Sequence, residues 1–592
     1  MKISYLDGNR LYYAFLVGGN AVIKDQNYLN KINVFPVPDS DTGTNLASTM
    51  RSIAERAKRD HSVSSTLRSI ADAALSGARG NSGLIFAQFL YGLSEEVKNF
   101  KRLSPIHFAE SVRSAAQKTY KAILSPVEGT MLTVMTDWAD ALYTKRTATK
   151  DFAELFVSSL HAAQKSLAET PRKLAVLAKA GVVDAGAKGF VDFLEGITQF
   201  IKKGKLKNLS KPEKIPEASD VHAHSDRESI SHRYCSEALL AGENMNLHQI
   251  REDLKAHGDS AIVAGSERKA RIHVHTNNPA DLFYKLKDHG TILQIKADDM
   301  LRQYEASHDR KAKIALVTDS TCDLPQAFID EHQIYVIPFH ISFGESLFLD
   351  RITITADQFY TLLQKRKELP KTSQPSRKSV QDFFAFLASH YESLIVINIS
   401  NKLSGAYRLS REVAETMGDH PINVIDSRQL SVSQGLLVHR IALAIEEGKS
   451  ASEISALTDE WIQKTRLLVD IQTLEYMVRG GRVSPLKGLM AKTLNLKPII
   501  SLDDEGKAIA YGKSFSRSQN LKKIVGMIKK MHKERNILNY AIVHAQNLDR
   551  AKKYSELLQN EIGRPPLYIM DISPAVGVHN GIGVVGIGMM FA

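Results

Sequence analysis

Residues 1 to about 200 carry long stretches rich in Ala, Leu and Ser, such as Ser64–Leu75 and Phe152–Leu167, with few strand-like alternations. They predict an almost wholly helical domain. Three glycine-bearing stretches interrupt it: NVFPVPDSDTGTN (Asn33–Asn45), SGARGNSG (Ser76–Gly83) and VVDAGAKG (Val182–Gly189). Segment 202–233 is polar, with little to bury, and is expected to be a flexible connector. From 234 to about 305 the pattern turns mixed. Alternation in SAIVAG and RIHVHT predicts strands, and helix-like runs lie around Leu247–Ala256 and Pro279–Lys287. From 313 to 592 the short apolar runs KIALVTDS, LIVINIS, INVIDS and YAIVHA each end in small or polar residues, with helical patterns between them. That is the signature of an α/β fold with a largely parallel sheet. Ligands of such folds gather at the carboxyl ends of the strands.

Composition bounds the class. A chain of 592 residues is too long for one core and suggests about four domains, at roughly 150 residues each. Its 43% apolar and 24% charged content is that of an ordinary globular protein rather than a membrane or disordered one. Met1 to Asn20 lacks the charged and apolar regions of a secretory signal, and no run approaches the roughly 18 apolar residues of a membrane span. Cys235 and Cys322, the two cysteines, fit a reducing compartment, so a cytoplasmic location is expected. The net charge of +12 concentrates in two places. One is the connector sequence KKGKLKNLSKPEK (Lys202–Lys214). The other is Lys522–Arg535, where Leu521, Ile524, Val525, Ile528 and Met531 recur at helical spacing. Two readings of this basic amphipathic helix stay open, an ordinary surface helix and a transient membrane-surface contact. With no nucleic-acid motif or aromatic platform present, nucleic acid is not an expected partner.

The glycine-bearing stretches carry candidate chemistry. In PDSDTGTN (Pro38–Asn45), Asp39 and Asp41 lie two apart behind prolines that stop a helix. Their mutual repulsion would be relieved by Mg²⁺, which accepts a partial oxygen shell and leaves room for water and phosphate. Thr42, Thr44 and Asn45 add neutral groups. The same residues also suit a polar loop whose aspartates cap turns. In SGARGNSG, glycines admit an anion close to backbone N–H groups, and Asn81, Ser82 and Gly83 stand at a predicted helix start. No Gly-Lys-Ser/Thr follows, so this is not a P-loop. SPVEGTMLTV (Ser125–Val134) adds a turn with Thr130, and VVDAGAKG one with Asp184 and Gly186. One such loop is weak evidence; four in one helical domain are a pattern.

Two further clusters stand apart. His273 and His275 alternate in RIHVHT and so share a strand face. With Cys235 from RYCSE they make a donor set suited to Zn²⁺, although paired strand histidines are also common polar neighbours. In the carboxyl half, VTDSTCDLP, KTSQPS, SNKLSGAY, LEYMVRGGRVS and VGVHNGIGVVG place hydroxyls at strand ends and helix starts. These suit a carboxylate ligand or plain helix caps equally well.

Taken in order, NVFPVPDSDTGTN, ARGNSG, PVEGT and VVDAGAKG resemble the nucleotide-binding domain of fatty-acid kinase, a relative of the ATP-binding subunit of dihydroxyacetone kinases. YCSE and HVHTNNP resemble its middle domain, and the five carboxyl-half stretches resemble the DegV family of fatty-acid-binding proteins. The resemblance implies a multidomain chain. An all-α eight-helix barrel would span 1–201, a connector 202–233, a small α/β middle domain 234–305, and a DegV-like α/β fold of two subdomains 313–592. It also implies ATP as nucleotide, with two Mg²⁺ on Asp39 and Asp41. Thr42, Thr44, Asn45, Asn81, Ser82, Gly83 and Thr130 would lie at the phosphates, and Asp184 and Gly186 near the base or ribose. Dihydroxyacetone kinases have a further upstream Asp; its nearest counterpart is Asn33, which offers only a neutral oxygen. Cys235, His273 and His275 would bind zinc. Thr372, Ser373, Ser404, Gly405 and His579 would hold the carboxylate of a long-chain fatty acid, with Arg482 near the exposed site. Arg517, in KSFSRS, is the counterpart of a further family Arg in a segment that departs from the pattern.

The implied reaction transfers the ATP γ-phosphate to that carboxylate, giving an acyl phosphate for a downstream acceptor enzyme of phospholipid synthesis. The carboxylate is already ionised at neutral pH, so alignment and charge neutralisation suffice. A homodimer is expected, with transfer within or between chains. The competing readings are a non-catalytic lipid carrier and a dihydroxyacetone-type kinase.

Overall fold

The computed structural model describes residues 2–35, 40–203, 230–365, 368–481 and 497–592. Asp39, Arg482 and most of the expected connector lie outside the described residues. The described chain forms two compact units, Met1–Asn278 with Lys285–Tyr304, and Pro279–Tyr284 with Glu305–Ala592.

In the first unit the described residues form eight long helices: Gly8–Lys24, Thr42–Arg56, Val63–Gly77, Gly80–Glu96, Pro105–Ala122, Met131–Lys145, Phe152–Lys173 and Ala185–Lys203. Several starts are set by the residue just ahead. The side chains of Asp7, Ser62, Ser104 and Asp151 each accept a hydrogen bond from a first-turn N–H. Each long helix packs on the next, and the last returns to the first, so the set closes on itself. Small residues permit that closure. A Cβ on Gly196 would stand 2.9 Å from the Gly18 Cα, and one on Gly18 only 2.7 Å from the Phe193 ring. The interior is aromatic: Phe86 meets Phe193 edge to face at 5.0 Å, and Trp138 meets Phe190 at 5.6 Å. Such pairs add about 0.5–1.5 kcal/mol each beyond the area they bury.

The mixed segment folds as a four-stranded antiparallel sheet. Its spatial order is Gly258–Gly265, Lys269–Thr276, Tyr234–Ala241, Thr291–Asp299. The predicted helix appears as Leu247–His257. Leu239, Ile262 and Ala264 are buried in the same apolar cluster as the helices. The sheet therefore shares a core with the helical ring, and the two act as one body.

The second unit divides its strands among three sheets. Ile422–Asp426, Ser393–Asn398, Ile314–Asp319 and Tyr335–Ile337 form a parallel sheet, as KIALVTDS, LIVINIS and INVIDS predict. A small antiparallel sheet follows the order Ser346–Leu349, His340–Phe343, Lys371–Ser373. The expectation of a largely parallel sheet fails for YAIVHA. Its strand, Ile537–His544, runs antiparallel to Val585–Phe591 and parallel only to Ile569–Asp571. It sits in a six-stranded sheet with Thr465–Asp470, Lys497–Leu502 and Ala508–Ser514. Apolar runs mark a strand as buried but say nothing of its neighbour's direction.

Candidate functional site

Four helix N-termini meet at one end of the helical ring. Asp41 directly precedes Thr42–Arg56, and its carboxylate accepts from Asn45 Nδ2 at 2.7 Å. Gly80 opens Gly80–Glu96 at φ +54°, a conformation that favours glycine. A Cβ there would lie 2.2 Å from Asn45 Nδ2, so the two loops touch. A Cβ on Gly186 would be 3.1 Å from both Ser82 Oγ and Met131 Cε, which joins the starts of two more helices. On Gly83 it would be 2.9 Å from Thr49 Oγ1. Gly129, at φ +84°, donates its N–H to Thr133 Oγ1 at 2.9 Å just ahead of Met131–Lys145. Several N–H dipoles thus converge, a setting that favours an anion. The Asn81 amide oxygen is buried with no partner among the described residues.

Other predicted residues brace this end. Thr42 Oγ1 donates to Asn33 Oδ1 at 2.9 Å. Thr44 is held by Asn30, whose Nδ2 donates to its hydroxyl at 2.9 Å and whose Oδ1 accepts its N–H at 3.0 Å. The Thr130 hydroxyl donates to Val127 O at 2.8 Å. Asp184 is buried and accepts from the N–H groups of Ala187 and Met131, so one carboxylate caps two helices. Burial pushes its carboxyl up to about 6, against the pull of those two donors.

Cys235, His273 and His275 come together as RIHVHT predicts. Antiparallel register sets Cys235 opposite His275 and Glu237 opposite His273, so all four side chains share a sheet face. The ligating atoms of the Cys and both His lie within 4.8 Å of one another, with Cys235 Sγ 3.8 Å from His273 Nδ1. His273 Nε2 is buried with no partner among the described residues. Burial, then the nearby charges of Glu237 and Asp298, push the Cys235 thiol well above its ordinary range, and Asp41 adds to the effect. A half-buried thiol among carboxylates wants a cation, and one sulfur with two imidazoles fits zinc. The influence of Asp41 on Cys235 also brings this cluster within electrostatic reach of the Asp41 loop.

Sequence reasoning did not single out Glu237, though it stands two residues after Cys235 and hence on the same strand face. Its Oε1 accepts the Gly80 N–H at 2.7 Å and lies 3.3 Å from His273 Nδ1, while Oε2 accepts from Arg271 at 3.1 Å. Burial alone would raise this carboxyl. The His273 hydrogen bond and the Arg271 charge nevertheless hold it well below the usual range. Lys269 Nζ to Ser76 Oγ (2.9 Å) and Gly265 N to Gln88 Oε1 (2.9 Å) fasten the same sheet to the helices.

The second unit contains the other predicted cluster. Thr372 Oγ1 and His579 Nε2 are 3.1 Å apart. A Cβ on Gly405 would stand 2.8 Å from Gln374 Oε1, which brings the Ser404–Gly405 turn beside the Thr372–Ser373 strand. Ser404 Oγ accepts the Ala406 N–H at 3.3 Å. His579 rides on Pro574–Asn580, whose Ala575 N–H donates to Asp350 Oδ1 at 3.1 Å. Burial pushes the Asp350 carboxyl up to about 7. Arg517 donates to Gly583 O at 2.6 Å and so pins the loop beyond His579.

A DAK2-domain model matches residues 36–199, a model for the middle domain of FakA-like fatty acid kinases matches 231–307, and a DegV-family model, itself described as uncharacterised, matches 313–592. Among curated relatives, the uncharacterized protein SSP1546 of Staphylococcus saprophyticus is 34% identical over 312 residues, 51% of this chain and 56% of its own length. The uncharacterized protein SAB1090 of Staphylococcus aureus is 32% identical over 330 residues, 53% and 60% respectively. The chain thus spans little more than half the length of these relatives. Two solved structures are similar to part of the chain. DegV, a fatty acid binding protein from Bacillus subtilis, is 26% identical with a TM-score of 0.45, covering 48% of this chain and 100% of its own. The fatty acid binding DegV family protein SAG1342 from Streptococcus agalactiae is 28% identical with a TM-score of 0.45, covering 47% and 99%. In chain order, this polypeptide carries a DAK2 domain, a FakA-like middle domain and a domain of the DegV family.

Proposed function

We propose that this chain is a fatty-acid kinase fused to its own fatty-acid carrier, moving the γ-phosphate of ATP onto the carboxylate of a long-chain fatty acid. The observation that carries this reading is the convergence of four helix N-termini around Asp41, Gly80, Met131 and Gly186, in a chain that also pairs Thr372 with His579. The N–H groups at Asn81 and Ser82 seat the phosphates while that of Gly80 is held by Glu237, and Asn45 holds Asp41 in place for a divalent cation. Asp39 and Asp41 would hold magnesium, which would supply charge neutralisation for the transferring phosphoryl group. Asp184 and Gly186 shape the floor of the nucleotide site.

In the DegV-family domain, Thr372 and His579 hold the fatty-acid carboxylate, with Ser373, Ser404 and Gly405 beside it. The carboxylate is already ionised, so no general base is needed. One carboxylate oxygen bonds to the γ-phosphorus while the bond from phosphorus to the ADP oxygen breaks, and the products are acyl phosphate and ADP. Joining carrier and kinase in one chain raises their effective concentration toward the millimolar range. Transfer within a chain and between two copies of a homodimer are both compatible with this chemistry. The acyl phosphate is reactive and passes to an acceptor enzyme.

The test is ADP release from ATP and magnesium with and without oleate, with hydroxylamine trapping and mass spectrometry of the acyl product. Oleate-dependent ADP with trapped acyl hydroxamate is expected. Asp41→Ala should abolish it and leave oleate binding intact. Bound lipid with no turnover in the wild-type chain would make this a carrier. Turnover on dihydroxyacetone without oleate would make it a small-molecule kinase.

A further inference from the structure

The Cys235–His273–His275 cluster and the Gly80 turn come from different parts of the sequence, 157 residues apart at the bond that joins them. That bond is made by the Glu237 carboxylate, buried to 2% exposure. One of its oxygens receives the Gly80 N–H at 2.7 Å and faces His273 Nδ1 at 3.3 Å. The other is clamped by Arg271 at 3.1 Å, itself 6% exposed. Arg271 also reaches Gln294 Oε1 at 2.7 Å, so the fork has little freedom to follow a shift of the carboxylate. On the far side, Gly80 sits at φ +54° against Asn45, which in turn holds Asp41.

We propose that Glu237 is a positioning residue that couples a zinc-type cation on Cys235, His273 and His275 to the anion-facing turn at Gly80, so that metal occupancy sets nucleotide affinity. The proposal rests on the kinase reading for its readout in nucleotide binding, but the coupling itself is a property of the chain. A cation held by His273 would fix the orientation of its ring, and with it the 3.3 Å contact between Nδ1 and the Glu237 oxygen. The oxygen shared between His273 and Gly80 moves accordingly. Gly80 must hold its left-handed conformation, with its own N–H on Glu237, for the N–H groups of Asn81 and Ser82 to face the anion together. Loss of its acceptor releases that turn. The cluster thereby acts as a sensor of metal status located beside the site it controls.

Three measurements on the full chain test this: zinc content by mass spectrometry, ADP affinity by calorimetry, and hydrogen exchange of residues 79–83. In the wild type, chelating zinc should raise exchange at 79–83 and weaken ADP binding about tenfold, the size of one hydrogen bond to a charged group. In Glu237→Gln, zinc should still bind, ADP should bind about tenfold more weakly, and the response of exchange and affinity to chelation should vanish. A purely structural Glu237 would leave that response intact, because nothing would have been uncoupled. The inference is overturned if chelation leaves exchange at 79–83 unchanged, or if Glu237→Gln keeps the wild-type response. Should Glu237→Gln fold poorly, the wild-type chelation experiment decides alone. A wild-type chain that binds no ADP refutes the kinase reading; the exchange measurement then still stands or falls on its own.

Discussion

Replacing Gly80 with alanine tests the geometry of the turn that opens Gly80–Glu96. The residue sits at φ +54°, where an alanine costs about 1–2 kcal/mol. The new methyl would also lie 2.2 Å from Asn45 Nδ2, so the amide must swing away. That movement breaks its 2.7 Å hydrogen bond to Asp41, worth about 1.5–3 kcal/mol because the acceptor is charged. The two costs together come to about 2.5–5 kcal/mol. At about 2–4 °C per kcal/mol for a domain of this size, the melting temperature should fall by roughly 5–20 °C. ADP affinity should fall as well if the displaced groups line the proposed nucleotide site. A double-mutant cycle isolates the clash: in an Asn45→Ala background Gly80→Ala should cost only the backbone term. Equal costs in both backgrounds, or a Gly80→Ala protein that melts and binds ADP like the wild type, would refute this account of the turn.

Two further outcomes are expected. Burial raises the Asp184 carboxyl from 3.8 to about 6, so the folded chain binds that proton more tightly than the unfolded one. Its favourable contribution is therefore full below about pH 4 and is lost as pH rises through about 6. Asp184→Asn should melt higher relative to wild type at about pH 7.5 than at about pH 4.5, as thermal scans at the two pH values would show; an unchanged difference would refute the assignment. Thr372→Ala should weaken oleate binding about tenfold in a fluorescence competition assay, while Thr372→Ser keeps most of the affinity. Equal affinity in all three proteins would remove Thr372 from the proposed carboxylate site.

Local patterns determined much of this molecule. Alternation in RIHVHT was enough to put His273 and His275 on one strand face, and the strand period extended to Cys235 would also have offered Glu237. The caps at Ser62, Ser104 and Asp151 are local too, each made with an N–H two or three residues on. Glycines at 80 and 129 identified tight turns, because few other residues tolerate their conformation. The direction of the strand at Ile537–His544 was not legible, since burial on both faces gives the same apolar run whether its neighbours are parallel or antiparallel.

Only tertiary structure decided which of these pieces meet. Composition and spacing cannot show that the middle sheet shares a core with the helical ring through Leu239, Ile262 and Ala264. Nor can they show that Asn30 spends its amide on Thr44, or that Asp350 holds the helix bearing His579. Such contacts join residues far apart in the chain, and they form only where several packed surfaces fix the distance between them. The sequence alone determined the residue types able to carry phosphate, metal and carboxylate chemistry, because periodicity and turn conformation act over a few residues. Packing decided that a carboxylate on a middle strand would reach the N–H of a glycine 157 residues before it, because that bond needs the sheet and the helices already docked.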